Sequence, residues 1–491
     1  MPLPINLYQA DQLRRLDKLA LAESNLDGFT LMERAGRAAW KCLRSNWPAA
    51  ARLRVVCGGG NNGGDGYILA GLAMGSGMDV GVLYVGDPDN LTGDARRAYL
   101  QYTSRTGARC GEFSAGEVYA ADVVVDALLG TGITREVSGA YLQAINNINR
   151  SGRPVLALDI PSGLHADTGA VSGVSICADV TISFVGLKPG LFTGQGRNYC
   201  GRIEFSDLDI PDTVYSRVAP VAVRLDYATQ SRMLRRRDRS AHKGHYGHVL
   251  VIGGDYGYAG AALMAAQAAA RVGAGLVSLA TRPDHALAVA AAVPEIMARG
   301  IDRPAELHPL LEKATVVAVG PGLGRSEWSG RLLARALESK LPIVADADAL
   351  YFIAKEPFDT KRWVLTPHPG EAAMLLGTTT ADITADRLAN ANRIQERYGG
   401  VCVLKGSGTL IADGAMLHLC SDGNPGMASG GMGDVLTGTI AALAAQGLGL
   451  ADAAKVGVCL HGAAADAAAA AGERGMLATD LMPWLRKLAN P

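Results

Sequence analysis

Residues 55–67 read VVCGGGNNGGDGY, a glycine run between a β-branched apolar stretch and a helical one. Glycine lets backbone amides approach a ligand with no Cβ in the way. The helix that follows offers a partial positive charge to a phosphate. Asn61 and Asn62 add amides that both donate and accept, suited to a ribose, an amide or a cation. A plain strand-to-helix turn would also use the glycines; two Asn followed by Gly63, Gly64 and Asp65 is a narrower pattern. Three more apolar runs end in polar clusters: Asp126 in DALLGTG (126–132), Asp159 in LDIPSGL (158–164) and Lys188 in FVGLKPGL (184–191). An Asp at a strand end is commonly an N-cap or turn residue. Three such clusters beside the Asn pair point to one crevice at the carboxyl ends of parallel strands. Asp159 and Lys188 are its proton-transfer candidates. Asp126 and Asn62 would suit a monovalent cation, which prefers hard oxygen ligands.

The second half carries NPGMASGGMGDVLTG (424–438), running into an Ala/Leu-rich helix. Glycines before a helix N-terminus build an anion hole from backbone amides. Asp434, just inside that helix, can accept a proton from a hydroxyl held against a phosphate; the blander role is to complement the helix dipole. Upstream, VLKGSGT (403–409) is a strand ending in Lys405, readable as a tight β-hairpin or as a phosphate contact. The Walker spacing GxxxxGK[ST] is absent. His368, between two prolines, reads equally as a rigid turn residue whose ring caps a backbone group. His242, His245 and His248 make no metal-spaced helical pair.

Elements that could position these residues alternate along both halves. Strand patterns at 54–57, 79–85, 122–126, 154–159 and 179–184 flank helical patterns at 91–103 and 139–150. After a basic stretch at 212–243, strands are expected at 248–252, 276–280, 315–319, 342–345, 363–365 and 401–404. Helices are expected there at 260–272, 327–338, 384–398 and 430–446. Strand–helix repetition marks a parallel sheet with right-handed crossovers. The halves share no residue-level repeat, so two independent α/β domains are expected. The run of Arg232, Arg235, Arg236, Arg237 and Arg239 reads as a solvated linker.

The 491 residues would make roughly three domains or two large ones at about 150 residues each. Lys+Arg and Asp+Glu are both 47, a balance that argues against a nucleic-acid or acidic-membrane binder. Hydrophobic residues at 48% and charged ones at 19% suffice for real cores and exclude disorder. The eight Cys have neither CxxC nor His-spaced partners, so neither structural zinc nor a disulfide framework is expected, and a reducing compartment is. The N-terminus lacks a secretory apolar core, and the 261–280 stretch reads as a buried helix running into a strand. A cytoplasmic protein without a membrane partner is expected.

Taken together, VVCGGGNNGGDGY, DALLGTG, LDIPSGL and FVGLKPGL resemble the epimerase domain of the NAD(P)H-hydrate repair enzymes, over most of residues 1–215. The resemblance implies a Rossmann-like three-layer domain that interconverts the R and S forms of hydrated NADH or NADPH. By it, Asn61, Asn62, Gly63, Gly64, Asp65, Gly130, Thr131, Gly132, Ile133, Thr134, Arg135, Glu136 and Asp159 contact substrate. Asn62, Asp126 and Ser162 would hold potassium (K+). The second half is similar to the ribokinase-like superfamily, whose Gly-x-Gly-Asp marks anion hole and base. HKG (242–244) through Gly253-Gly254, GPGLG (320–324), DADAL (346–350) and TPHPGE (366–371) narrow that likeness to the ADP-dependent (S)-NAD(P)H-hydrate dehydratases, over about 226–491. By that likeness Ala261, Gly322, His368 and Asp434 contact the hydrated cofactor. Lys405, Gly406, Ser407, Gly408, Thr409 and Gly433 would contact the AMP part of the nucleotide. Met432 stands where the wider superfamily commonly has Ala.

The expected activity is therefore twofold: inversion at C6 of the hydrated nicotinamide, then dehydration of the S form at the expense of ADP, giving AMP and phosphate. Asp159 would shuttle a proton in the first reaction, and Asp434 would be the base of the second. Mg2+ would assist by bridging phosphate oxygens. Other readings are a ribokinase-like small-molecule kinase with a nucleotide-sensing first half, or a first half that only binds. Small-molecule nucleotides are the expected partners, and a symmetric homo-oligomer the expected assembly.

Overall fold

A computed structural model describes residues 3–24, 27–133, 135–356 and 361–490. The chain forms two compact units, Met1–Val223 and Arg224–Pro491.

The first unit is built on seven parallel strands. After a short strand β1 (Asn6–Leu7) come β2 (Arg52–Cys57), β3 (Asp79–Tyr84), β4 (Cys110–Glu112) and β5 (Val123–Ala127). They continue as β6 (Val155–Leu158), β7 (Val180–Phe184) and β8 (Arg202–Ser206), in the spatial order β4-β3-β2-β5-β6-β7-β8. All of β5, β6 and β7 are buried, because crossover helices cover both faces. One face packs on the helices Gly28–Asn46 and Asn61–Gly75, the other on Gly139–Arg150. The order reverses between β2 and β5, so the helices that follow them lie on opposite faces of the sheet and leave a crevice at the strand ends. β1 pairs antiparallel with Ala222 and Val223 at the start of β9 (Ala222–Leu225).

The second unit adds β10 (His248–Ile252), β11 (Leu276–Thr281), β12 (Met297–Gly300), β13 (Val316–Val319), β14 (Ile343–Ala345), β15 (Trp363–Leu365) and β16 (Val401–Leu404). These are parallel, in the order β12-β11-β10-β13-β14-β15-β16. The antiparallel strands β17 (Leu410–Ala412) and β18 (Leu417–Cys420) extend the sheet beyond β16. Here the reversal falls between β10 and β13. Helix Met432–Ala445 packs against the Ala-rich helix Ala259–Val272, and Gly438 lets them close: a Cβ there would lie 2.0 Å from the Ala265 carbonyl oxygen.

The basic stretch is less bare than its composition suggests. Its arginines at 232, 235–237 and 239 are exposed, but 212–243 also contains β9 and the short helices Asp212–Tyr215 and Tyr227–Gln230. The helix expected at 384–398 is two, Thr380–Ala385 and Arg387–Tyr398. Asp386 lies between them out of helical geometry and caps the second by accepting from the Ala389 amide. No helix among the described residues is long and apolar enough to cross a membrane.

Candidate functional site

In the first unit the crevice is a cavity of about 1200 Å³. Asn61, Asn62 and Asp65 enter it from the first turns of helix Asn61–Gly75, which has no side-chain cap and so leaves its leading amides available. Gly63 and Gly64 lie behind the wall rather than in it. A Cβ on Gly63 would sit 2.1 Å from the Gly58 carbonyl oxygen, so glycine there lets the turn fold tightly onto the helix. Gly130, Thr131, Gly132, Ile133, Arg135 and Glu136 line the opposite side. Thr134 falls outside the described residues.

Asp159 and Lys188 line the same cavity. Lys188 is fully buried; its Nζ donates to Asp159 Oδ1, to Ser183 Oγ at 2.9 Å and to the Phe184 carbonyl at 3.2 Å. Asp159 Oδ1 also accepts from the Phe184 amide at 3.2 Å. Asp159 and Val185 hold φ of 65° and 63° at the ends of the adjacent strands β6 and β7. A left-handed Val is a costly conformation that persists only when its surroundings over-determine it. The Tyr215 hydroxyl, donating to the Val185 carbonyl at 2.6 Å, is one such restraint.

At the cavity wall Asn62 and Leu129 meet the buried Asp126 and Ser162. Asp126 accepts from Ser162 Oγ at 2.6 Å and from the Ser162 and Leu128 amides at 2.8 and 3.2 Å. Asn62 Nδ2 donates to the Leu129 carbonyl at 3.1 Å, and Ser162 Oγ lies 3.1 Å from the same oxygen. Burial nevertheless pushes the Asp126 carboxyl up to about 6. Asn62 Oδ1 is buried with no hydrogen-bond partner. An orphaned amide oxygen beside a carboxylate, a hydroxyl and a carbonyl is an all-oxygen donor set, which fits a hard cation.

In the second unit Asp434 occupies the first turn of helix Met432–Ala445, after Gly431 at φ 90°. Around it lie Asp346, Lys405 and Glu371. Lys405 Nζ donates to the buried Asp346 Oδ1 at 2.6 Å and stands 3.8 Å from Glu371 Oε2. Thr437 Oγ1 donates to Asp346 Oδ2 at 2.9 Å. Burial, then the negative charges of Asp346 and Glu371, raise Asp434 to about 7, with Lys405 opposing. A carboxyl so placed exchanges protons near neutrality. Gly433 leaves room for the lysine, since a Cβ there would be 3.2 Å from its Nζ.

The 405–409 segment is the hairpin loop between β16 and β17, with Gly406 and Ser407 exposed at its tip. Both readings of that motif thus meet: a hairpin, with Lys405 turned inward. Thr409 Oγ1 donates to the Gly406 carbonyl at 3.1 Å. The loop's shape is imposed by Arg387, whose buried guanidinium donates to the carbonyls of Leu404, Lys405, Ser407 and Gly408. Replacing Arg387 by Met strips that support and leaves buried carbonyls unpaired, each costing about 1–3 kcal/mol. Denaturant titration should show a stability loss of that order, and nucleotide KM should rise more than kcat falls.

Ala261 and Gly322 come together at the β10/β13 reversal: a Cβ on Gly322, at φ 58°, would lie 3.1 Å from that of Ala261 and 2.5 Å from the Tyr258 carbonyl oxygen. His368 caps helix Pro369–Leu376, its Nδ1 accepting from the Gly370 and Glu371 amides at 3.0 and 3.3 Å while Glu371 Oε2 accepts from the His368 amide at 2.7 Å. The capping role and a place on a small cavity of about 220 Å³ with Asp348 and Glu371 coexist. Nothing in the residue pattern singles out Asp17, Arg387 or the roles of Asp346 and Glu371. Asp17, on helix Ala10–Ser24, faces the large cavity.

Two parallel α/β units, each with carboxylates gathered at a strand-order reversal or glycine-led helix start, define an enzyme that does acid–base chemistry on nucleotides. Family models match residues 249–487 as NAD(P)H-hydrate dehydratase and residues 28–190 as YjeF-related protein N-terminus. The bifunctional NAD(P)H-hydrate repair enzyme Nnr of Coxiella burnetii is 47% identical over 487 residues, covering 99% of each chain. That of Escherichia coli is 43% identical, covering 100% of this chain and 95% of its own. A solved structure of a ribokinase-like superfamily protein from Enterococcus faecalis matches 55% of this chain and 96% of its own, with 29% identity and a TM-score of 0.51. The chain belongs to the bifunctional NAD(P)H-hydrate repair enzymes. The full-length likeness displaces the small-molecule kinase alternative.

Proposed function

We propose that residues 1–215 interconvert the R and S epimers of hydrated NADH and NADPH, and that residues 226–491 dehydrate the S epimer with ADP. The observation that carries this is the presence of two separate acid–base centres, Asp159–Lys188 and Asp434–Lys405–Asp346, in a chain matching this family end to end.

In the second unit Asp434 takes the proton of the C6 hydroxyl as its oxygen attacks the terminal phosphorus of ADP. The amides that open helix Met432–Ala445 face the charge that gathers on the transferring group. Lys405 and the hairpin loop hold the nucleotide's phosphates and AMP part. Ala261, Gly322 and His368 position the hydrated ring. Hydroxide leaves poorly and phosphate well, so the ring nitrogen's lone pair then expels phosphate. Loss of a proton restores the dihydronicotinamide. Asp346, Glu371 and Asp434 outnumber Lys405, a charge excess that suits Mg2+ carried on the nucleotide's phosphates, where it would neutralise developing charge.

In the first unit Asn61, Asn62, Asp65 and the 130–136 loop hold substrate, with Asp159 as proton acceptor held by Lys188. Asn62 Oδ1, Asp126, Ser162 and the Leu129 carbonyl would hold K+, whose charge would firm the loop that carries Gly130. Asn62→Ala is expected to abolish any stimulation of epimer exchange by K+ over Na+; an unchanged K+ response would move the ion elsewhere. We extend the proposal to a cytoplasmic homo-oligomer, since closed symmetric assembly is the common state of such enzymes; sedimentation of the purified chain reads it.

The decisive experiment follows both hydrate epimers with ADP added or withheld. Complete consumption with ADP, and epimer exchange alone without it, is expected. Dehydration at full rate without nucleotide would overturn the phosphorylation step. Asp159→Ala should slow R-to-S exchange by roughly 10²–10⁴-fold while pure S substrate is dehydrated normally.

A further inference from the structure

Asp17 comes from helix Ala10–Ser24, a different wall of the large cavity from the end of β6 that carries Asp159. Its Oδ1 is buried and has no hydrogen-bond partner in the protein. A buried carboxyl oxygen left bare is costly, and the side chain that carries it lines space sized for a ligand. The charged groups on that cavity are Arg14 on its own helix, Asp65 on helix Asn61–Gly75, Asp94, Arg135 and Glu136 after β5, Asp159, and Lys188 after β7. Of these, Lys188 is committed to Asp159.

We infer that Asp17 is the proton donor to the departing C6 hydroxyl during epimer exchange, working opposite Asp159. The inference rests on the epimerase reading of the first unit. In the outward step the ring nitrogen's lone pair forms an N1=C6 double bond as the C6–O bond breaks, and the Asp17 proton passes to the leaving oxygen, making water. In the return step water adds to the other face of C6, the double-bond pair returns to N1, and Asp159 takes the proton released. One proton has moved from Asp17 to Asp159, and the reverse turnover or solvent restores it. The environments suit those states. Burial first, and then the Asp159 charge, raise Asp17 to about 6, with Lys188 opposing, so Asp17 keeps a proton at pH values where an ordinary carboxyl has lost it.

The test uses the full chain carrying Asp17→Asn, which keeps shape and removes the transferable proton. Epimer exchange is expected to fall at least a hundredfold in kcat with KM for the R epimer within about threefold. The alkaline limb of the kcat/KM profile should vanish in the residual activity. Asp17→Glu should recover part of the rate, and the first unit's unfolding midpoint should not drop. Wild-type exchange by Asp17→Asn, or an intact alkaline limb, would overturn the inference while Asp159→Ala remained inactive. Absence of exchange in the wild-type chain would instead remove the epimerase reading itself.

Discussion

Asp434→Asn is expected to lower turnover of the S epimer by roughly 10²–10⁴-fold while leaving epimer exchange untouched. The amide keeps the side chain's shape at the start of helix Met432–Ala445 but takes no proton from the ring hydroxyl. With Asp434 as the proposed base, raised to about 7, wild-type activity is expected to fall as pH drops below neutrality. The same shift acts on stability with a definite sign. The folded state binds the Asp434 proton more tightly than the unfolded chain does, so its contribution is most favourable below about 4. It is lost progressively as pH rises toward 7 and stays unfavourable above. Asp434→Asn should therefore melt higher than wild type at pH 8, with no such gain at pH 4. A variant that is both inactive and more stable is the signature of a base held under strain for its task. Wild-type dehydration by this variant would remove Asp434 from the chemistry.

Lys405→Met carries the second large effect. Asp346 is buried, and its carboxylate is held by Lys405 Nζ at 2.6 Å together with Thr437. Removing one partner of a buried ion pair costs about 3–5 kcal/mol, because the other charge is left uncompensated. Urea unfolding should show a loss of that order. The lysine's positive charge also restrains Asp434 from rising further, so the acid limb of the remaining activity should move to higher pH. Nucleotide binding should weaken along with it. Lys405→Arg, which keeps charge but forks it, should recover stability better than activity. If Lys405→Met proved as stable as wild type, the pair would hold no structural weight.

Much of this arrangement is legible in the residues themselves. The strands at 248–252, 363–365 and 401–404 and the helices at 139–150 and 327–338 appear where their apolar periods place them. Glycine runs mark the strand ends because backbone must pass close to backbone there, as at Gly63 against Gly58. Asp126, Ser162 and Asn62 converge because each follows or faces a strand end of one parallel sheet. What escaped was set by packing across the sequence. Asp17 lies on a helix whose charged face reads as solvated, and only the tertiary fold turns it into the cavity with Asp159, far along the chain. Arg387 looks like one more exposed arginine until Asp386 ends the preceding helix and aims it at the hairpin loop. The short strands Cys110–Glu112 and Met297–Gly300 have too little apolar pattern to announce themselves and form by pairing at sheet edges.

On the proposed nucleotide contact at 405–409, the guanidinium beneath that loop bears on how fast the two meet. Four carbonyls gripped by one rigid fork leave few conformations for the loop to lose on association. Capture should then be limited by diffusion and charge rather than by rearrangement, and the heat capacity change of nucleotide binding should be small for the area covered.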